Sequence, residues 1–106
     1  MLRIYPVILD WIASLHPVIR SVAGHDADLA SQLRRSATSV CLNTAEGMGA
    51  TGRSKRQCYR VALREMREAM AALGIAARLG FIKEPDAAAA DRQSHIIATL
   101  VRLAQP

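Results

Sequence analysis

Arg53, Arg56, Arg60, Arg64 and Arg67 recur three or four residues apart, and Arg78 falls on the same line further on. At 100° per residue all six lie within about 80° of one helix face. A guanidinium is always charged and presents a planar fork of donors that matches a phosphate or a carboxylate. The spacing therefore describes an anion-binding face, suited to nucleic-acid phosphates or to an acidic protein surface. Charged helix faces are often only solvated. Here the acidic residues fall to one side of the stripe and leave its centre uncompensated. Lys55, Arg34 and Arg35 are further candidates for phosphate contact. Tyr59 is the only nearby aromatic, which favours backbone or duplex contact over stacking on single-stranded bases.

Other chemistry is poorly supported. Gly47-Met48-Gly49-Ala50-Thr51-Gly52-Arg53-Ser54 nearly spells a phosphate-binding GxxxxGK[ST] loop, with Arg53 in place of the lysine. That loop belongs after a strand inside a βαβ unit, and here a helical pattern precedes it. An interhelical turn is the better reading. Free N–H groups at the start of the following helix, beside Arg53, Lys55 and Arg56, could still hold one phosphate. His16, His25 and His95 lack metal-ligand spacing. Glu65 and Glu68 share a side, but Arg64 and Glu68 are four apart, so charge neutralisation is expected rather than acid–base work. Cys41 and Cys58 lie in helical patterns with no CxxC spacing and read as buried free thiols. The expectation is a non-enzymatic protein with no cofactor and no metal.

The charge distribution supports a localised face. The 106 residues carry a net +5. Residues 1–50 hold four basic and four acidic side chains, residues 51–80 seven and two, and residues 81–106 three and three. The whole excess sits on one segment. The chain is 51% hydrophobic but only 4% aromatic, and its 19 alanines favour closely packed helices over a β-sandwich. One domain is expected at this length. The apolar N-terminal residues are interrupted by Pro6, Asp10, His16 and Pro17, so they read as neither a signal peptide nor a membrane span. A cytoplasmic location follows as the default.

Four helices must position these residues, at about 6–23, 27–48, 54–79 and 85–104. Val7, Ile8, Trp11, Ile12, Leu15, Val18, Ile19 and Val22 repeat at helical spacing in the first. Pro6 suits its first turn, Pro17 should kink or split it, and Gly24 should end it. Asp26 or Asp28 should cap the second helix, which Gly47, Gly49 and Gly52 should break. Ser54 should cap the third and Gly80 close it. The fourth starts near Pro85 and carries few large apolar residues. No strand or tandem repeat is evident. Short connections imply an all-α, antiparallel, up-and-down four-helix bundle in a single domain, residues 1–106.

The run Gln32-Leu33-Arg34-Arg35-Ser36-Ala37-Thr38-Ser39-Val40-Cys41-Leu42-Asn43-Thr44-Ala45-Glu46-Gly47 resembles a family signature. It is similar to Q-x-R-R-A-x-x-S-hydrophobic-x-x-N-hydrophobic-A-E-G in the bundle proteins encoded within intervening sequences of bacterial 23S ribosomal RNA genes. Ala76-Ala77-Arg78-Leu79-Gly80-Phe81-Ile82 looks like the leucine-glycine-aromatic end of that family's third helix, and Leu2-Arg3-Ile4-Tyr5 also fits. The resemblance implies a ring-like homopentamer linked to RNA. Related accessory proteins of diversity-generating retroelements bind a reverse transcriptase. Members often carry Gly-Ser in mid helix three, where this chain has Arg64-Glu65. A large charged pair there must point outward or into a subunit contact.

Asn43 and Glu46 sit on adjacent turns and are expected to brace the glycine turn or helix three, with the N-terminus of helix three or Arg53 as partner for Glu46. Gly47 and Glu68 complete the structural set. The leading expectation is an oligomeric nucleic-acid-binding bundle, RNA favoured. The alternatives are an adaptor docking an acidic protein such as a reverse transcriptase, or a structural oligomer whose stripe pairs with Glu65, Glu68 or Asp10 of a neighbour.

Overall fold

The computed structural model describes residues 2–106. Four helices, α1 (Ile4–Ala23), α2 (Ala27–Gly49), α3 (Gly52–Arg78) and α4 (Ala87–Leu103), account for the regular structure, with no strand among the described residues. They pack in cyclic order, α1 on α2, α2 on α3, α3 on α4, and α4 back on α1. No helix among the described residues is long and apolar enough to cross a membrane.

α1 buries Ile4, Ile8, Trp11, Leu15 and Val22, a stripe set by the helical repeat. The expected split at Pro17 does not occur. Pro17 removes the hydrogen bond to the carbonyl of Ala13, but both residues are exposed, so water can satisfy that oxygen. Gly24 follows α1 in a right-handed conformation (φ −67°), so any residue could adopt its backbone.

Asp26 caps α2 by accepting a 2.9 Å bond from the Leu29 amide. α2 runs through Gly47 and ends at Gly49, one residue past the expected end at 48, and only Ala50 and Thr51 separate it from α3. Ser54 is not the cap of α3 either. The helix starts two residues earlier, after Thr51, whose side chain makes no capping bond. At 27 residues α3 is about 40 Å long by its rise per residue, close to the 42 Å longest extent of the molecule.

α3 closes with paired backbone bonds, Phe81 N–H to Ala76 carbonyl (2.9 Å) and Gly80 N–H to Ala77 carbonyl (3.0 Å). Gly80 at φ +79° makes that reversal, a conformation glycine adopts without strain. Phe81 is thereby turned back onto Val22, Ala30 and Ala76, and its ring stacks on His25 with centroids 4.7 Å apart. Asp86, rather than Pro85, sets the start of α4 by accepting 2.8 Å from the Ala89 amide.

The main core gathers Trp11, Leu15, Leu33, Val40, Tyr59, Met66, Ile96 and Leu100 among others. α2 and α3 share the most extensive contact. Their buried faces are rich in small residues, Ala30, Ser36, Ala37 and Gly47 on one side and Ala62, Ala69, Ala72 and Ala76 on the other. Short side chains let two helix axes approach closely.

Candidate nucleic-acid interface

The core face of α3 dictates where its arginines point. Tyr59, Ala62, Met66, Ala69, Ala72 and Ala76 are buried and span an arc of about 140°. The arginine arc lies diametrically across the helix. Packing the first arc inward therefore turns Arg53, Arg60, Arg64, Arg67 and Arg78 into solvent, and all five are exposed. Arg56 is half-buried, and its Nε is sealed from solvent without a hydrogen-bond partner. Lys55 lies off the stripe. Its Nζ is 3.4 Å from the carbonyl of Ala50, where it complements the negative end of α2.

The acidic residues leave the stripe largely open. The one ion pair among the described residues joins Arg64 Nε to Glu65 Oε1 at 3.6 Å. The expected Arg64–Glu68 pair does not form. Glu68 faces α2 instead, where its Oε1 accepts a 2.9 Å bond from Gln32 Nε2. Arg64 points outward, with 69% of its side chain exposed, while Glu65 is largely covered at 18%.

The Gln32–Glu68 bond also orients the two arginines of α2. Arg35 lies about 60° round the helix from Gln32, on the outer side of the α2–α3 seam. Arg34 lies about 160° away and faces the opposite flank. Both are exposed, but only Arg35 adjoins the α3 side.

The motif residues behave differently from expectation. Asn43 does not reach the turn or α3; its Nδ2 donates to the Ser39 carbonyl (2.9 Å) and to Ser39 Oγ (3.0 Å), one turn back in its own helix. Glu46 is exposed and forms no ion pair among the described residues, with Arg53 or otherwise. Gly47 is a packing residue. A Cβ there would lie 2.7 Å from Cε1 and 2.9 Å from Cζ of Tyr59, so only glycine fits against that ring. With α2 helical through Gly49, the glycine run is not a phosphate-binding loop.

Tyr59 itself is 1% exposed and cannot stack on bases. Its hydroxyl has no partner among the described residues. Burial pushes the phenol above its ordinary value, and neighbouring Cys58 adds to the shift. Burial likewise raises the Cys41 thiol, partly offset by its own backbone. Both cysteines are free, but only Cys41 is fully buried; Cys58 is half-buried. Sequence spacing had no signal for Gln32 and Ser39, because their partners depend on helix packing and side-chain rotamer. The placement of Tyr59 was available from its angle on the wheel. Among the described residues no three His, Cys, Asp or Glu side chains gather where they could hold a metal ion.

A family model described as 23S rRNA-intervening sequence protein matches residues 13–102. The fold is similar to a crystal structure of a protein of unknown function from the S23 ribosomal protein family of Bacteroides thetaiotaomicron VPI-5482. That chain is 19% identical, the alignment covers 97% of this chain and 99% of that one, and the TM-score is 0.83. No curated protein matches.

Proposed function

Because the chain belongs to the 23S rRNA-intervening sequence protein family, we propose that it is a non-enzymatic, nucleic-acid-binding bundle with RNA as the favoured partner. One observation carries this reading: five arginines of one helix face stand exposed opposite the core, with a single ion pair among them. Arg53, Arg60, Arg64 and Arg67 contact phosphates, Arg56 supports them, and Arg35 extends the face across the α2–α3 seam. We propose an antiparallel, up-and-down order, which is supported for α1–α2 and α2–α3 by the connections Gly24–Asp26 and Ala50–Thr51, too short to return the chain to the far end of the bundle. We further propose a cytoplasmic homopentamer. Five chains at +5 carry about +25, so weak phosphate contacts gain avidity.

Fluorescence anisotropy with a labelled RNA duplex tests this across a salt series. Affinity falls steeply as salt rises, because released counterions drive the association. Absence of binding at low salt, or binding indifferent to salt, refutes it.

A second reading rests on a separate observation. Ile75 and Leu79 are 50% and 60% exposed beside Arg78, and Leu42 is exposed above Arg35. Arginine interleaved with large apolar groups suits a protein surface better than a phosphate backbone. On this reading the face docks an acidic protein or a neighbouring subunit. Light scattering of Leu79→Asp separates the two, since loss of assembly with RNA binding intact assigns that end of α3 to protein contact.

A further inference from the structure

A cleft of about 510 Å³ opens between α1, the second half of α3 and the first half of α4. Its cause is compositional. α4 enters the bundle as Ala87–Ala90, and side chains that end at Cβ cannot close the gap to the two longer helices. Val18, Met70, Leu73 and Ile82 form half-buried apolar walls. Trp11 and Gln93 lie beneath at 2% and 9% exposed. The rim selects no charge. Lys83 and Arg92 stand against Glu84 and Asp86, and Asp86 already occupies the start of α4 by capping the Ala89 amide. The floor is more selective. The Gln93 carboxamide makes no hydrogen bond among the described residues. It presents a donor and an acceptor side by side, and a neutral group with the complementary edge satisfies both.

The cleft also opens beside the arginine face. Gly74 lines it, and Gly74 also lines a shallow notch with Ala71, Ile75, Arg78 and Leu79 on the outer side of α3. On the helical wheel Gly74 lies about 20° from Arg67 and about 40° from Arg78. Those two arginines are separated by about 16 Å of helix axis. Between them the stripe is occupied by Ala71 and Gly74, with no guanidinium. Nothing lies within 4 Å of the absent Cβ of Gly74, so the wall between stripe and cleft is low at that point.

We propose that this cleft takes up one unpaired adenine base from an RNA whose phosphates lie on the arginine face. The inference rests on the nucleic-acid reading of that face and adds a base-binding site to it. The phosphates on either side of the base meet Arg67 and Arg78, and the base enters over Gly74. Its flat faces lie against Met70, Leu73, Val18 and Ile82. Its edge meets the Gln93 carboxamide, which can pair with adenine through two hydrogen bonds. A neutral base suits a rim of balanced charge, and the phosphates stay outside on the guanidinium groups.

The experiment titrates the whole protein with two labelled RNA duplexes, identical except that one carries a single bulged adenosine. The bulged duplex binds about ten-fold tighter, the scale of one bidentate base contact. It also changes the emission of Trp11, the only tryptophan in the chain, saturably. Gln93→Met keeps the side-chain length and loses the carboxamide. Gly74→Leu raises the lip at an exposed helical position. Each cancels the advantage of the bulge and leaves affinity for the continuous duplex unchanged. Circular dichroism confirms helix content, and either variant serves if the other does not fold. Equal wild-type affinity for the two duplexes overturns the proposal and leaves the arginine face standing. So does a bulge advantage that the folded variants retain. Binding to neither duplex at low salt refutes the arginine-face reading, and this inference with it. Free adenosine leaves Trp11 emission unchanged at concentrations where the bulged duplex saturates. Saturation by adenosine there would assign the cleft to a free nucleoside and overturn the proposal.

Discussion

The backbone of Gly47 on α2 lies directly against the ring of Tyr59 on α3, with no space between them for a methyl group. Tyr59 is in turn enclosed by the main core, so this contact fixes how closely the two helices sit near their short connection.

Gly47→Ala therefore destabilises the fold. Alanine would ordinarily strengthen a helix by roughly 1 kcal/mol over glycine. Here the overlap with the Tyr59 ring reverses the sign and costs about 1–3 kcal/mol, the usual range for overpacking. Gly74→Ala is the control. Gly74 is helical and exposed, and nothing lies within 4 Å of its absent Cβ, so it stabilises by about 0.5–1 kcal/mol. Thermal melts of both variants measure the contrast, and two shifts of the same sign would contradict the packing role.

Tyr59→Phe raises stability. The ring keeps its contacts and the variant loses a buried hydroxyl that has no partner among the described residues. Relief of that desolvation is worth about 1 kcal/mol. Urea unfolding measures it, and a lower midpoint would mean that the hydroxyl is hydrogen-bonded in solution.

Stability falls in alkali. Folded Cys41 and Tyr59 hold their protons more tightly than their ordinary values of 9.0 and 10.0. Their contribution is complete below about pH 9 and is lost as pH rises, because the unfolded chain releases its protons first. Melting temperature under reducing conditions stays level up to about pH 8.5 and declines beyond it. Tyr59→Phe flattens the steeper part of that decline. A melting temperature that holds to pH 11 would exclude both groups as contributors.

Arg60→Ala leaves folding almost untouched, within about 0.5 kcal/mol, since the side chain is exposed and forms no ion pair among the described residues. It lowers RNA affinity and reduces the slope of log affinity against log salt by about one. Arg34→Ala, on the far flank of α2, changes the slope less. Equal effects from the two would show that binding follows net charge rather than the stripe.

Periodicity made the helices legible, because core spacing and caps are local. A capping aspartate at 26 or 28, Gly80 and the buried stripe of α1 could all be placed without a partner in view. The arginine face was legible for the same reason. Gly47 was not. A glycine near others reads as a break, and only the Tyr59 ring reveals it as a packing site. Pro17 does not split α1, because one missing hydrogen bond at an exposed turn leaves the rest of the helix intact. Glu68 and Asn43 have acceptable partners at several spacings, and the choice between them depends on helix docking and rotamer. Glu46 lies outside that explanation: it is exposed, and the structure gives no physical account of it.

α3 keeps its core residues and its arginines on separate arcs that share no position. Substitutions on one arc leave the other unaltered. Apart from half-buried Arg56, guanidinium groups can therefore be gained, lost or moved along this helix without jeopardising the fold. The charge pattern is free to change while the alanine-rich underside is held by packing.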